Sequence, residues 1–359
     1  DEMDDVVCMD GRVIVFSSVG PIQIVIVSST GETPIQLKMQ AVLIGRKLCS
    51  IVPYTTIMSL FQKKTSYDFR RLVLNEYDQI KFFIHSFNVY GSILYNAIRI
   101  YPCVDRDALS MCIGDGVATL NQMLQADNDS VVFTLLFNDG CLMAMNQRYG
   151  FSLSPKDIHV LMTYVQALPS MQNGCTPIGL HDFNQSGQLF VTTHFFNQKI
   201  VLAILTTNKI ALETAAGPLQ KLVTQIHSLP FMKQLIEGSP VEVYKEPSNL
   251  YLHYLFVKFD GENAQVHEPE FQDPYSSGYH HQKRLHRLFK SLCEEMAHQS
   301  LKEYFSKGGI DCVYAVYRSD YFFCGTFNIM LSRDEVINRG QKVIQQVKQK
   351  YDVLFIKSL

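Results

Sequence analysis

The 359-residue sequence contains no tryptophan and no large surplus of charge of either sign, since 34 acidic side chains stand against 32 basic ones. A near-neutral chain gives no reason to expect nucleic acid as a partner, which a basic surplus would indicate. The composition of a disordered protein is also missing, because 47% of the residues are apolar and only 18% are charged. The length therefore predicts two or three folded domains.

Long hydrophobic runs are missing too. No stretch reaches the roughly 18 unbroken apolar residues that identify a membrane-spanning helix, and the most hydrophobic region, Ile80 to Ile100, contains Lys81, His85 and Arg99. We predict a soluble or peripheral protein. The chain opens at Asp1 without an initiator methionine or a basic-then-apolar signal pattern. We therefore expect a fragment whose true N-terminus is missing.

Closely paired cysteines are absent, because the nine cysteines include no C-x-x-C pair and follow no regular spacing. Most of them lie within apolar runs, as Cys312 and Cys324 do. This usage is typical of buried thiols in a reducing compartment. A cytoplasmic location is the prediction.

Motifs of catalysis are absent as well. The sequence has no phosphate-binding G-x-x-x-x-G-K-[ST] loop, no G-x-S-x-G nucleophile motif and no H-E-x-x-H metal motif. His280, His281 and His286 lie close together in sequence but lack a cysteine or carboxylate at ligand spacing, which favours a group of surface histidines over a zinc site. We expect no catalytic residue, no metal and no cofactor.

A repeated order of secondary-structure elements is what the sequence does contain. Two strands over 131–137 and 141–147 enclose a turn, and Ser154 with Pro155 predicts the start of a helix. Strands around 176–180, 188–196 and 199–206 and a helix over 210–227 come next. Two strands, a helix, three strands and a helix form one α+β unit.

A similar order follows residue 250. It comprises a strand over 251–258, a helix over 281–299, strands over 312–318 and 321–330, and a helix that opens with the capping box Ser332 to Glu335. The tail from Val353 to Ile356 is predicted to be one last strand.

The first third of the sequence shows only the second half of such a unit. Strands over 12–16 and 22–28 precede helices over 35–51 and 56–63. Two strands and a helix are therefore expected before Asp1 to complete the sheet. Without them, the sheet would keep an exposed edge.

Three segments resemble one known family. They are Leu60–Leu72 (LFQKKTSYDFRRL), Leu153–Leu161 (LSPKDIHVL) and Cys175–Asn184 (CTPIGLHDFN) with the Ser186-Gly187 turn. With the repeated α+β order, they resemble the SAND/Mon-one family of tri-longin proteins. The resemblance implies an α+β fold of three consecutive longin (roadblock-like) domains, the first truncated at its N-terminus. We place these domains at residues 1–105, 106–238 and 239–359.

The resemblance also implies a function in membrane traffic. Members of this family pair with a second tri-longin protein, the Ccz subunit, and activate a late-endosomal or vacuolar Rab GTPase by releasing its GDP, for endosome maturation and vacuole fusion. Such exchange depends on binding one GTPase conformation more tightly than another, without bond chemistry, so the protein is not expected to be an enzyme. The alternative is a non-catalytic tri-longin scaffold of a ciliary planar-polarity or lysosome-related-organelle complex.

The first motif provides the candidate residues for contact with the GTPase or the partner subunit. They are Phe61, Gln62, Tyr67, Asp68, Arg70 and Arg71. Tyrosine and arginine are frequent anchors of protein interfaces. The alternative is structural, with Asp68 capping the next helix while Arg70 and Arg71 brace neighbouring carbonyl groups or acids.

A second set of candidates concerns anionic, phosphoinositide-containing membranes. The set is Lys283, Arg284, Arg287 and Lys290, and three of these fall on one face of a predicted helix opposite an apolar face. Each basic residue near an anionic membrane contributes about 1 kcal/mol of attraction. A merely solvated outer helix face is the alternative. Peripheral recruitment to late-endosomal, vacuolar or lysosomal membranes is the corresponding expectation.

Overall fold

The computed structural model describes residues 6–29, 31–124, 130–168, 174–209, 212–239, 250–261, 263–271 and 279–357. The chain divides into two compact units, one within residues 1–87 and 107–240 and the other within residues 88–106 and 241–359. Residues 88–105, which the predicted boundaries place in the first domain, therefore pack with the C-terminal part of the chain. Residues 1–5, with which the sequence opens, and most of the predicted boundary after Gly238 lie outside the described residues.

Unit 1 begins with a three-stranded antiparallel sheet. Its strands are β1 (Val6–Met9), β2 (Arg12–Val19) and β3 (Ile22–Ser28), in that spatial order. Helix α1 (Pro34–Ile51) follows and packs on β2 and β3. Thr33 and Gln36 form a capping box at the start of α1, which supplies partners for two otherwise unpaired backbone groups.

The two faces of the first sheet differ. On the face towards α1, Gly45 lies so close to β2 that a Cβ atom there would be 2.4 Å from Val19 Cγ2. On the opposite face, Phe16 pairs with Val25, and Val25 is exposed. Strand β3 has no second neighbour among the described residues. The expected half sheet is therefore present, with the additional strand β1 that the sequence did not predict.

Three helices continue unit 1. They are α2 (Tyr54–Lys63), α3 (Arg70–Val73) and, after a 3-10 turn over Leu74–Glu76, α4 (Tyr77–Val89). Lys47 of α1 is buried where these helices meet, and its ammonium group donates to Gln79 Oε1 at 3.1 Å. Burial lowers the pKa of Lys47 to about 8.

The chain then enters unit 2 for a short distance. A 3-10 turn over Gly91–Tyr95 leads into strand β4 (Ala97–Arg99), which pairs in parallel with residues 264–266. Ile93, Leu94 and Ile98 are buried there. The sequence did not predict this crossing, because nothing in a three-residue strand indicates which sheet it joins.

The second half of unit 1 is a complete five-stranded domain. Its elements are α5 (Arg106–Leu124), β5 (Val131–Asn138), β6 (Cys141–Gln147), α6 (Pro155–Ala167), β7 (Gly174–Ile178), β8 (Leu189–Phe195), β9 (Ile200–Thr206), α7 (Leu212–Ser228) and α8 (Pro230–Ile236). The strand order is β6-β5-β9-β8-β7. Strands β5 and β9 are central and buried along their whole length, as their unbroken apolar sequences predict.

Unit 2 repeats this arrangement. Its further elements are β10 (His253–Asp260), β11 (Asn263–His267), α9 (Tyr279–Gln299), β12 (Glu303–Lys307), β13 (Asp311–Tyr317), β14 (Tyr321–Asn328), α10 (Arg333–Gln349) and α11 (Tyr351–Leu354). The strand order is β12-β13-β14-β10-β11-β4. Without β4, it matches the order of the second domain strand for strand. The first sheet corresponds to the last three strands of each complete domain.

The C-terminal tail differs from the prediction. Residues 351–354 form the short helix α11, so the predicted final strand is wrong. Leu354 and Phe355 are buried in the core of unit 2, and the carbonyl oxygen of Val353 accepts hydrogen bonds from Cys103 N and the Arg106 guanidinium. Core packing therefore replaces strand pairing for these apolar residues.

Candidate functional site

The candidate site is the surface from Phe61 to Tyr77, formed by the end of α2, the following turn, α3 and the start of α4; we call it the α2–α4 surface. Phe61 and Phe69 pack against the buried cluster of Cys49, Val52 and Ile57. The rings of Phe61 and Tyr67 meet edge to face with centroids 6.2 Å apart. These aromatic side chains fix the segment to α1, while Gln62 beside them is exposed.

Asp68 and Arg70 form a local pair at the start of α3. Arg70 donates to Asp68 through Nε at 2.8 Å and through Nη2 at 3.1 Å, and the Arg70 backbone N–H lies 3.3 Å from Asp68 Oδ1. These hydrogen bonds from Arg70 lower the pKa of Asp68. The Arg70 side chain is 89% exposed, so the pair is solvated and contributes little to stability.

Arg71 differs from Arg70. It is exposed, and its side chain makes no hydrogen bond, ion pair or ring contact with any described residue. Of the structural role proposed from sequence, the bracing of an acid holds for Arg70, which pairs with Asp68. The capping role does not hold for Asp68, because the N-cap residue of α3 is Phe69, which makes no side-chain cap hydrogen bond. Arg71 braces no carbonyl group or acid through a hydrogen bond or ion pair within the described residues, and its exposed side chain is accessible to another molecule.

Three apolar residues enlarge this surface beyond the sequence prediction. Leu74 is 70% exposed, Tyr77 is 63% exposed, and Leu72 is also exposed. Large apolar side chains next to arginines are typical of protein interaction sites. The sequence contained a weak signal for them, because the apolar residues of 72–84 cover more of the helix circumference than one buried face requires.

The α2–α4 surface is attached to the second domain through α1. Arg46 of α1 forms an ion pair with Asp182 at 2.6 Å, and Asp182 also accepts a hydrogen bond from the Ser154 hydroxyl at the start of α6. Arg46 contacts the His181 ring as well. Burial and the adjacent Arg46 lower the pKa of His181, which favours the neutral imidazole.

Asp157 of α6 holds the loop that carries His181, Asp182 and Phe183. Its carboxylate accepts a hydrogen bond from the Phe183 backbone N–H at 3.0 Å. Burial, and then the negative charge of Asp182, raise the pKa of Asp157 to about 7. The Asp of the second sequence motif therefore holds the loop of the third motif.

A cavity of about 330 Å³ lies beside the contact between Arg46 and His181 and is lined in part by Arg46, Cys49 and His181. Burial raises the pKa of the Cys49 thiol to about 11. Cys49 is therefore protonated at neutral pH and lacks the activation of a catalytic cysteine.

The membrane candidates on α9 are engaged within unit 2 to different degrees. Lys290 forms an ion pair with Glu294 at 3.3 Å, and its ammonium group lies 5.2 Å from the centre of the Tyr95 ring. Arg284 pairs with the buried Asp311 at 3.3 Å but remains exposed. Lys283 and Arg287 are half-buried. Arg284 is thus the most accessible of the four.

His286 does not lie on the surface, which makes that part of the expectation wrong. It is buried, and its Nε2 lies 2.6 Å from Glu268 Oε1, while His253 Nε2 lies 3.1 Å from the same oxygen. Burial alone would raise the pKa of Glu268, but the two histidines outweigh it and lower that pKa. Among the described residues no group of histidine, cysteine and carboxylate side chains is arranged to hold a metal ion.

None of the described helices is by itself long and apolar enough to cross a membrane. Taken together, α1 and α2 are long and apolar enough by length and composition, with a bend of 82° between them. Helix α1 packs on the first sheet.

Comparison with known protein families matches both complete domains. Residues 129–217 match the model of the second longin domain of FUZ, MON1 and HPS1, and residues 251–351 match the model of the third. Together the two models cover more than half of the chain. The predicted α+β longin fold is confirmed.

Individual relatives extend the similarity over nearly the whole chain. The chain is 22% identical to Protein SAND of Takifugu rubripes over 97% of its length and 67% of the relative's. It is 22% identical to human Vacuolar fusion protein MON1 homolog A over 97% of its length and 53% of the relative's. The chicken (Gallus gallus) homolog A is 27% identical over 55% of the chain and 35% of the relative.

The chain therefore spans between about one third and two thirds of the length of these curated relatives. The predicted membership in the SAND/Mon-one family is confirmed by these relatives. The chain belongs to the longin-domain family of FUZ, MON1 and HPS1, and its similarity over nearly its full length is to the MON1 and SAND proteins within that family.

Proposed function

We propose that this chain is part of a subunit of a heterodimeric guanine nucleotide exchange factor that activates a late-endosomal or vacuolar Rab GTPase. Its relatives are named vacuolar fusion proteins, and longin domains are protein-interaction modules in the resembled family. The protein acts in endosome maturation and vacuole fusion. It is cytoplasmic and is recruited peripherally to late-endosomal, vacuolar or lysosomal membranes.

The α2–α4 surface is the observation that carries this proposal. It combines exposed Leu74 and Tyr77 with the accessible guanidinium groups of Arg70 and Arg71 on a segment fixed to α1. Such a surface suits a partner whose contacting face is acidic around an apolar centre. The candidate partners are the GTPase and the second tri-longin (Ccz) subunit. We assign the GTPase to this surface.

Exchange at this surface requires no bond chemistry. The heterodimer binds the nucleotide-free GTPase more tightly than the GDP-bound form, so the affinity for GDP falls when the complex forms. By thermodynamic linkage, GDP weakens the binding of the exchange factor by the same factor. The residues of the surface contribute binding energy, and none acts as an acid, base or nucleophile.

GDP release tests the proposal directly. The full-length protein is purified with its Ccz subunit, and the release of fluorescent GDP is followed for a panel of Rab proteins. We expect strong acceleration for the late-endosomal or vacuolar Rab and little for the others. No acceleration on any Rab would leave the non-catalytic scaffold of a ciliary planar-polarity or lysosome-related-organelle complex. The relatives that match nearly the full chain carry MON1 or SAND names, which favours the exchange factor.

A further inference from the structure

The turn between α2 and α3 presents two free hydroxyl groups within the α2–α4 surface. The Tyr67 backbone N–H closes this turn on the Lys64 carbonyl oxygen at 3.1 Å. Thr65 and Ser66 occupy its two central positions and are exposed. Neither side chain has a hydrogen-bond partner among the described residues. An exposed turn with unengaged side chains is accessible to a modifying enzyme.

Two adjacent basic residues precede Ser66 in the sequence, with one residue between them and the serine. Lys63 and Lys64 lie three and two positions before it, and both are exposed. Protein kinases with acidic substrate-binding sites select a serine or threonine by such charge patterns. The chain has three other pairs of adjacent basic residues, and none is followed two positions later by serine or threonine. These pairs are Arg46–Lys47, Arg70–Arg71 and Lys283–Arg284.

We propose that Ser66 is a phosphorylation site for a basic-directed protein kinase and that its phosphate weakens binding at the α2–α4 surface. The kinase transfers the γ-phosphoryl group of ATP to Ser66 Oγ. The bond between the γ-phosphorus and the bridging oxygen breaks, ADP leaves with that oxygen, and the hydroxyl proton passes to the base of the kinase. No other reactant is needed.

The electrostatic effect follows from the charges of the segment. Between Phe61 and Tyr77 four basic side chains stand against two acidic side chains, Asp68 and Glu76. A phosphoserine carries about −2 charges at neutral pH, so phosphorylation cancels this positive surplus. The phosphate also offers acceptor oxygens to the exposed Arg71, whose guanidinium makes no hydrogen bond or ion pair with the described residues. An acidic partner is then attracted more weakly and associates more slowly. This effect rests on the proposed function, whereas the modification itself does not.

The modification is tested on the full-length protein purified with its Ccz subunit. The complex is incubated with Mg-ATP and the catalytic subunit of cAMP-dependent protein kinase, and phosphopeptides are mapped by mass spectrometry. We expect phosphate on Ser66 in the wild type and in T65A, the matched control in the same turn, but not in S66A. The initial rate should fall at least tenfold in K63Q/K64Q. Absence of phosphate from Ser66, or an unchanged rate in K63Q/K64Q, overturns the proposal.

The effect on binding is measured with the same samples. Kinase treatment should slow Rab GDP release by the wild-type complex several-fold at low salt, by less at high salt, and not at all in S66A. An unchanged rate after complete phosphorylation overturns the proposed effect. If the untreated complex releases GDP from no Rab, the proposed function fails, while the phosphopeptide map still decides whether Ser66 is a substrate.

Discussion

The backbone N–H of Gly179 donates a hydrogen bond to the carbonyl oxygen of Ser50 at 2.9 Å, joining the end of β7 to the end of α1. A Cβ atom at position 179 would lie 2.3 Å from the carbonyl oxygen of Cys49. Because that neighbour is backbone, it cannot move aside by changing a rotamer. The first and second longin domains are therefore joined at a point where only glycine fits.

The first prediction concerns this joint. We expect G179A to lower the free energy of unfolding of the protein by about 1–3 kcal/mol, as overpacking does elsewhere. Gly174, at the other end of β7, is the matched control because a Cβ atom there meets nothing within 4 Å. Urea unfolding compares the two variants. Equal stabilities of G179A and G174A would contradict the close packing.

The second prediction concerns the pH dependence of stability at Asp157. The folded-state pKa of about 7 lies above the ordinary value of 3.8, so between these values the folded protein holds a proton that the unfolded chain has released. The contribution of Asp157 to stability is therefore present below pH 4 and is lost as the pH rises to about 7. The loss amounts to at most about 4 kcal/mol.

The variant D157N tests this dependence, because asparagine keeps a hydrogen-bond acceptor for Phe183 N–H but does not titrate. We expect the free energy of unfolding to fall less between pH 5 and pH 8 in D157N than in the wild type. D139N, at an exposed aspartate of the same unit, is the control and should follow the wild type. A wild-type slope in D157N would contradict the assignment.

The third prediction separates surface contact from structural support at the α2–α4 surface. We expect R70E/R71E to slow Rab GDP release at least tenfold, because charge reversal opposes an acidic partner. The Asp68–Arg70 pair is exposed, so thermal stability should change little. K221E/K233E reverses two exposed lysines of α7 and α8 and is the control of equal charge. Loss of soluble protein in R70E/R71E would support the structural role instead.

The fourth prediction concerns the segment that crosses into unit 2. Removal of residues 88–106 would uncover the edge of β11 and the pocket that holds Ile93, Leu94 and Ile98. We expect a fragment of residues 250–359 to be insoluble or to lack a cooperative unfolding transition, and the same fragment fused to residues 88–106 to be soluble and cooperative. Circular dichroism on heating distinguishes the two. Cooperative unfolding of the shorter fragment would show that the segment is dispensable.

The fifth prediction concerns membranes. Since Lys290 is paired within unit 2, we expect contact with anionic headgroups to depend on the N-terminal part of α9. K283Q/R284Q should reduce the affinity for phosphoinositide-containing vesicles, measured by flotation, about 30-fold, at about 1 kcal/mol for each basic residue. K221Q/K233Q is the control. Neutral substitutions limit the disturbance at Asp311, which Arg284 contacts. Unchanged flotation at low salt would remove the membrane hypothesis.

Short-range signals in the sequence account for much of the fold. The capping residues Ser154 and Ser332 mark two helix starts, and the apolar runs of β5 and β9 mark the central strands of the second sheet. These helix starts and strands depend on residues that are close in sequence, so the local sequence is enough to predict them. The small strands β1, β4, β11 and β12 escaped prediction because their residues become strands only by pairing with partners elsewhere in the chain.

The candidate site also combines features that the sequence predicts with features that only the structure shows. The motif from Leu60 to Leu72 identified Arg70 and Arg71 from sequence, since it carries the resemblance to a family. Only Arg70 forms an ion pair with Asp68, and this difference between the two arginines depends on a side-chain geometry that the sequence does not contain. The exposure of Leu74 and Tyr77 likewise depends on which side of the 3-10 turn and of α4 faces the rest of the fold.

The sequence by itself determined the class of the protein: longin domains in series, a near-neutral chain and the motifs of the MON1 and SAND relatives. Composition and periodicity suffice for this because they set which residues can be buried and in which local structure. Only the tertiary structure decided that residues 88–106 complete the third sheet, that His286 is buried on Glu268, and that Gly179 joins two domains. Each of these depends on contacts between residues distant in sequence, and such contacts form only when the whole core packs.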